Sequence, residues 1–162
     1  MRNKFAIFII CMLVITVSVL AGCGSESDTD MPELEPFLGG WGTINDSGSE
    51  LEIVYVYEED DKLNIEFGAI PGGGVIASFD PENVEIESDA LTCSDGEALT
   101  DGGSLSNIVV TAEPDQDGSG RYIFELTEDG KNILGGDVFS YDKIADTREE
   151  LDKWIKDNDP LR

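Results

Sequence analysis

Apolar residues in this chain recur mostly with a period of two, and that rhythm restricts it to a β architecture. Leu51, Ile53, Tyr55 and Tyr57 alternate with Glu52, Val54 and Val56. After Glu58-Glu59-Asp60-Asp61 the pattern resumes as Leu63, Ile65 and Phe67 against Asn64 and Glu66. Successive side chains of a strand point to opposite faces, so such alternation marks strands packed on at least one side. Two such runs around a short acidic turn predict a hairpin. Val84 and Ile86 alternate with Glu85 and Glu87, residues 105–112 form an apolar run around Ile108-Val109-Val110, and Tyr122, Phe124 and Leu126 alternate with Glu125 and Thr127. The turn Glu128-Asp129-Gly130-Lys131 then leads into a strand over 132–141, Asp-Gly being a hairpin signal. Strands over 41–45 and 75–79 bring the count to about eight. Gly72-Gly73-Gly74 and Gly102-Gly103 fall between them as loops, and no intervening helix is long enough for a parallel crossover. The expected fold is all-β, a single antiparallel barrel of about eight strands, because closure removes exposed sheet edges.

Only the end of the chain changes period. Thr147-Arg148-Glu149-Glu150 has capping-box spacing, and Leu151, Trp154 and Ile155 fall at i, i+3 and i+4. This predicts a short C-terminal α-helix whose apolar stripe packs on the sheet.

Charge narrows the function classes. The chain carries 35 acidic and 10 basic side chains and no histidine, a formal net charge of −25. Such a surface repels nucleic acid and anionic headgroups and favours cationic partners or divalent cations; the plain alternative is solubility or life in high salt. Lack of histidine removes Ser-His-Asp and Cys-His catalysis and the usual zinc sites. The glycine-rich runs lack the Gly-Lys-Ser/Thr ending of a phosphate loop, and nothing singles out two carboxylates for glycoside hydrolysis. The expectation is a protein without catalytic residues or a cofactor.

Residues 1–22 follow the order of a signal peptide: Arg2 and Lys4, then Phe5 to Leu20, apolar except for Thr16 and Ser18, then small residues. Leu20-Ala21-Gly22-Cys23 resembles the lipobox of bacterial lipoproteins. The resemblance implies cleavage before Cys23 and lipidation of its sulfur by a diacylglycerol carrying chains such as palmitate. The protein would then be anchored to the cell membrane or outer membrane, facing outside the cytoplasm. Two acyl chains hold a protein stably where one holds marginally. An uncleaved membrane helix is the other reading, and the positive-inside rule gives it the same topology. Loss of Arg2 and Lys4 would leave 8 basic against 35 acidic side chains, a mature charge of −27. With Cys11 removed and Cys23 acylated, Cys93 remains alone, so no intramolecular disulfide is expected. Cys93 has no basic neighbour in sequence and reads as a buried thiol rather than a reactive one. Residues 23–36 hold the lipidated cysteine and an acidic, proline-punctuated tether of at most ~40 Å, and the folded domain is expected over 37–162.

Phe37-Leu38-Gly39-Gly40-Trp41 contains Gly-x-Trp spacing as Gly39 and Trp41. This resembles the start of the first strand in lipocalins and lipocalin-like (calycin) domains, a likeness that extends over 37–157 through the strand count and the terminal helix. The resemblance implies that Gly39 lets the chain turn into the barrel, that Trp41 plugs its closed end, and that a basic residue caps the tryptophan, either Lys143 or Arg148. It also implies non-catalytic binding of a small hydrophobic ligand inside. The alternative is an acidic interaction protein that holds a cationic protein or peptide or assists an envelope assembly. An interior cavity of ~300 Å³ or more would favour the first.

Asp115-Gln116-Asp117-Gly118-Ser119-Gly120 begins like a calcium loop, with oxygen-bearing side chains at positions 1, 3 and 5 and glycine at 6. Position 12 is Leu126 instead of a bidentate glutamate, and the flanking segments read as strands. A solvated hairpin turn is expected at Asp115 and Asp117.

Overall fold

A computed structural model describes residues 33–45, 48–134 and 139–161. Cys23, the signal segment and the tether up to residue 32 lie outside the described residues. The strands are β1 (Gly39–Ile44), β2 (Leu51–Glu59), β3 (Lys62–Ile70), β4 (Gly74–Phe79), β5 (Val84–Glu87), β6 (Ala90–Thr100), β7 (Gly103–Pro114), β8 (Tyr122–Glu128), β9 (Lys131–Asn132) and β10 (Ser140–Ala145), followed by helix α1 (Arg148–Asn158). Eight of them close a ring in the order β1-β2-β3-β4-β6-β7-β8-β10, and β10 pairs with both β8 and β1. Every pairing is antiparallel. The molecule is therefore an all-β closed barrel with one C-terminal helix, and among the described residues no helix is long and apolar enough to cross a membrane.

The acidic turn after β2 works because both central residues, Asp60 and Asp61, adopt left-handed backbone at φ 56° and 59°. That geometry matches the twist of a two-residue hairpin, and aspartate tolerates it better than most residues. Asp129 and Gly130, at φ 49° and 73°, do the same between β8 and β9.

Two features depart from the sequence expectation. The strand expected over 132–141 is split: β9 ends at Asn132, and the residue that closes the barrel edge is carried instead by β10, which starts at Ser140. Gly135-Gly136 lies between them, outside the described residues. In addition, the segment around Cys93, where the alternation is weak, forms the 11-residue strand β6. β4 and β5 lie end to end along it: Val75–Ser78 pair with Thr100–Glu97, and Val84–Glu87 with Cys93–Ala90. Pro81 starts the single 3-10 turn that separates them. The ring is thus completed by β6, with β5 as an extension off the ring. A bulge at 94–96 adjusts the register, with Asp95 at φ 51°. Gly96 is obligatory there, because a Cβ would lie 2.3 Å from the Phe79 ring.

The interior is filled from one end. Val54, Val56, Leu63, Ile65, Phe79, Leu91, Cys93, Ile108, Val110 and Leu126 are almost completely buried. At the end where β1 begins, Leu34 and Phe37 close the barrel beneath Trp41. The packed unit therefore reaches back to Leu34, inside the stretch expected as tether, because the turn at 35–37 folds that leucine under the strands.

Outside the barrel, α1 lies across β10, β1 and β2. Its capping box is complete: the Thr147 hydroxyl accepts from the Glu150 amide, and the Glu150 carboxylate accepts from the amides of Thr147 and Asp146. Gly40 and Gly42 make the seat. A Cβ at Gly40 would press on Leu151, and one at Gly42 would lie 3.0 Å from the Trp154 ring and 2.6 Å from Ile144. Leu151 is fully buried against Ile53 and Ala145. The helix end is also tied by Arg148, which pairs with Glu66 of β3 and Asp152 and lies over the Tyr55 ring at 5.3 Å.

Candidate binding site at the barrel mouth

The two ends of the barrel differ in chemistry. At the closed end Trp41 points inward, and its indole N–H donates to the Phe37 carbonyl at 2.9 Å. Its ring meets Tyr122 edge-on at 5.2 Å and Phe124 at 5.5 Å, and Phe124 meets Tyr141 at 5.8 Å. Gly39, at φ 111°, makes the turn into β1; a Cβ there would strike the Ala145 carbonyl at 2.4 Å. Of the two candidate caps, Lys143 holds its ammonium 5.9 Å from the Trp41 ring centre, while Arg148 is engaged on Tyr55. Lys143 is the cross-strand partner of Trp41, which is why β10 delivers it there.

Tyr141 is the upper limit of that aromatic stack, and above it the barrel is open. A cavity of about 370 Å³ lies between the start of β2, the loops joining β3 to β4 and β6 to β7, and the segment after β9. Phe67, Val75, Ile133, Leu134 and Tyr141 give it an apolar floor and wall, and Glu50, Glu52 and Asp101 give it carboxylates. Gly73 and Gly102 in the loops and Gly74 at the start of β4 keep its rim low. Among the described residues no lysine or arginine lines it.

Glu52 is the unusual member. It belongs to the same strand face as Val54 and Val56, both almost completely buried, so the position of that face nearest the mouth is a carboxylate. Burial, and then the neighbouring charge of Glu50, holds its carboxyl above the ordinary carboxylate range. The Tyr141 hydroxyl donates to it at 3.4 Å, a long contact that opposes the shift only in part. Burial, followed by the charge and hydrogen bond of Glu52, pushes the Tyr141 phenol up in turn. Simple alternation did not expose this site, because β2 is apolar on both faces and either parity could have been the inner one.

The other singled-out residues are elsewhere. Cys93 is completely buried on β6, and burial pushes its thiol up to about 12, so it is no nucleophile in the folded chain. Asp115 and Asp117 lie in the β7–β8 hairpin. Asp115 accepts from Ser140 and from the Asp117 amide, and Asp117 pairs with Arg121 at 2.7 Å. Hydrogen bonds from Ser119 and then from Arg121 hold the Asp117 carboxyl down at about 2. These bonds build a turn, and among the described residues no group of three metal-ligating side chains gathers.

Comparison with known proteins finds no family model, no curated protein and no solved structure that matches the chain.

Proposed function

We propose that this is a lipid-anchored envelope protein whose barrel, lipocalin-like in kind, binds a small ligand at its open mouth without catalysing a reaction. The observation that carries the reading is the cavity of about 370 Å³ whose floor continues the apolar core. Small-molecule sites occupy ~300–1,000 Å³, are mostly apolar, and recur in the mouths of β-barrels. The lipocalin-like part rests on Gly39 at the turn, Trp41 inside and Lys143 over it. The anchor rests on Leu20-Ala21-Gly22-Cys23 at the end of the apolar segment.

A thermal-shift screen of apolar and cationic small molecules tests the binding. A ligand that occupies the mouth raises the melting temperature by mass action. No shift across the screen would sink the reading. For the anchor, metabolic labelling with a fatty acid should mark the protein and leave Cys23→Ser unmarked.

The second reading, a surface that holds a cationic protein or peptide, is favoured by the 35 acidic side chains. It predicts association that weakens steeply as salt rises from about 0.05 to 0.5 M, where the Debye length falls from roughly 14 to 4 Å.

A further inference from the structure

We propose that the mouth cavity takes a small organic cation, with an ammonium group against the Glu52 carboxylate and an apolar body against Phe67, Val75 and Tyr141. The inference rests on the ligand-binding reading and adds the chemical class of the ligand.

The argument begins with the register of β2. Val54 pairs across to Phe67 of β3 and Trp41 of β1, all three inside the barrel. Two residues towards the mouth, the same face presents Glu52, where an apolar side chain would have continued the core. A carboxylate withdrawn from water is costly unless it is paired. Among the described residues no salt bridge reaches Glu52, and its one hydrogen bond, from Tyr141, is long. Lys143 is used on Trp41 and Asp146, Arg148 on Glu66, Lys62 on Asp80 and Arg121 on Asp117, and Lys131 of β9 does not line the cavity. The position therefore carries a charge that the protein itself leaves uncompensated, in the wall of a cavity.

The rest of the cavity selects among possible occupants. Glu50 and Asp101 add charge of the same sign at the rim, and a cleft lined by one sign concentrates counter-ions. An anion would be repelled. A neutral apolar ligand would cover Glu52 and deepen its desolvation without supplying a partner. Among the described residues no three metal-ligating side chains converge, so a bare metal ion is poorly held and gains nothing from the apolar floor. An ammonium on an aromatic or aliphatic body satisfies both halves of the lining, the carboxylates and the apolar floor.

Three isosteric probes separate these cases on the full-length protein: 2-phenylethylammonium, 2-phenylethanol and phenylacetate, titrated by NMR with the amides of Glu52, Phe67 and Thr100 as reporters. The ammonium should bind at least tenfold more tightly than the alcohol, and phenylacetate should leave the reporters unmoved. Glu52→Gln should abolish the ammonium's advantage, whereas Glu85→Gln, which removes the same charge from the outer face of β5, should keep it. If the alcohol binds as tightly as the ammonium, the cation assignment is wrong and the barrel remains a binder of neutral apolar ligands. Equal losses in Glu52→Gln and Glu85→Gln would overturn it in favour of diffuse surface attraction. Silence of the reporters towards all three probes and towards the thermal-shift panel would remove the binding reading itself.

Discussion

The two ends of this barrel are built on the same eight strands and carry opposite chemistry. At the closed end, Leu34, Phe37, Trp41 and Phe124 pack into a dry aromatic stack in which the one buried indole N–H is satisfied by a backbone carbonyl. At the mouth, the inward positions change to Glu52 and to glycine-rich rims, and space remains. Stability is thus concentrated where interior positions are large and apolar. Open space is concentrated where they are small or charged. A chain that filled both ends would be a sturdier protein with nowhere to put a ligand.

Perturbing each end should show this division. The largest effect is expected at the closed end: Trp41→Ala should destabilise the fold by about 3–5 kcal/mol, as for other large aromatic side chains removed from cores. A loss under 1 kcal/mol in a denaturant titration would show that the stack is not where stability resides. Leu151→Ala should follow at about 2–4 kcal/mol, since it empties the seat on Gly40 and loosens the helix from outside the barrel. Cys93 supplies an internal reporter. Its labelling by a thiol reagent should be undetectable in the folded protein and should speed up in both variants as their unfolded populations grow. Rapid labelling of the unmodified protein would mean that the interior is open well below the mouth.

The smallest effect, and one of opposite sign, is expected at Glu52. Glu52→Gln should leave the protein slightly more stable at neutral pH, by under about 1 kcal/mol because the carboxylate is still partly solvated. The sign follows from linkage: a carboxyl raised above its unfolded value of 4.5 holds its proton more readily in the folded state. Its ionisation therefore destabilises the fold above the folded pKa, and the penalty disappears as pH falls through that value towards 4.5. Glu50, Asp101 and Tyr141 face the same space, so the gap between the unmodified protein and Glu52→Gln is the quantity to follow. A Glu52→Gln variant less stable than the parent at neutral pH would show that the carboxylate is compensated after all.

Much of this fold was legible because period-two alternation survives wherever a strand has one wet face. The β2–β3 hairpin, β8 and the capped helix were all visible in this way. β6 was obscured because Ser94, Asp95 and Gly96 interrupt the alternation at a bulge, which exists to admit the Phe79 ring. β10 starts later than the expected strand over 132–141, so Tyr141 is its second residue rather than the last of that run. The roles expected for Gly39 and Trp41 came from the resemblance that their spacing carries, whereas the choice of Lys143 over Arg148 required the β1–β10 register. Glu52 was hidden for a related reason. Ile53 and Tyr55 are covered by the helix, so both faces of β2 look buried, and only the closed ring reveals which one is the interior.

Leu34 and Phe37 fix where the chain enters the barrel, at the end opposite the mouth. Anything that grips the chain upstream of residue 33 holds it by its base, like a cup on a stem. The nine residues of β3 span roughly 30 Å along the strand and, at the usual barrel tilt, about 23 Å along the axis. The mouth therefore lies about that far from the end of the barrel at which the described chain begins. An anchor of the kind proposed would join the domain at the end remote from the cavity, so that attachment and cavity occupy opposite poles of one barrel.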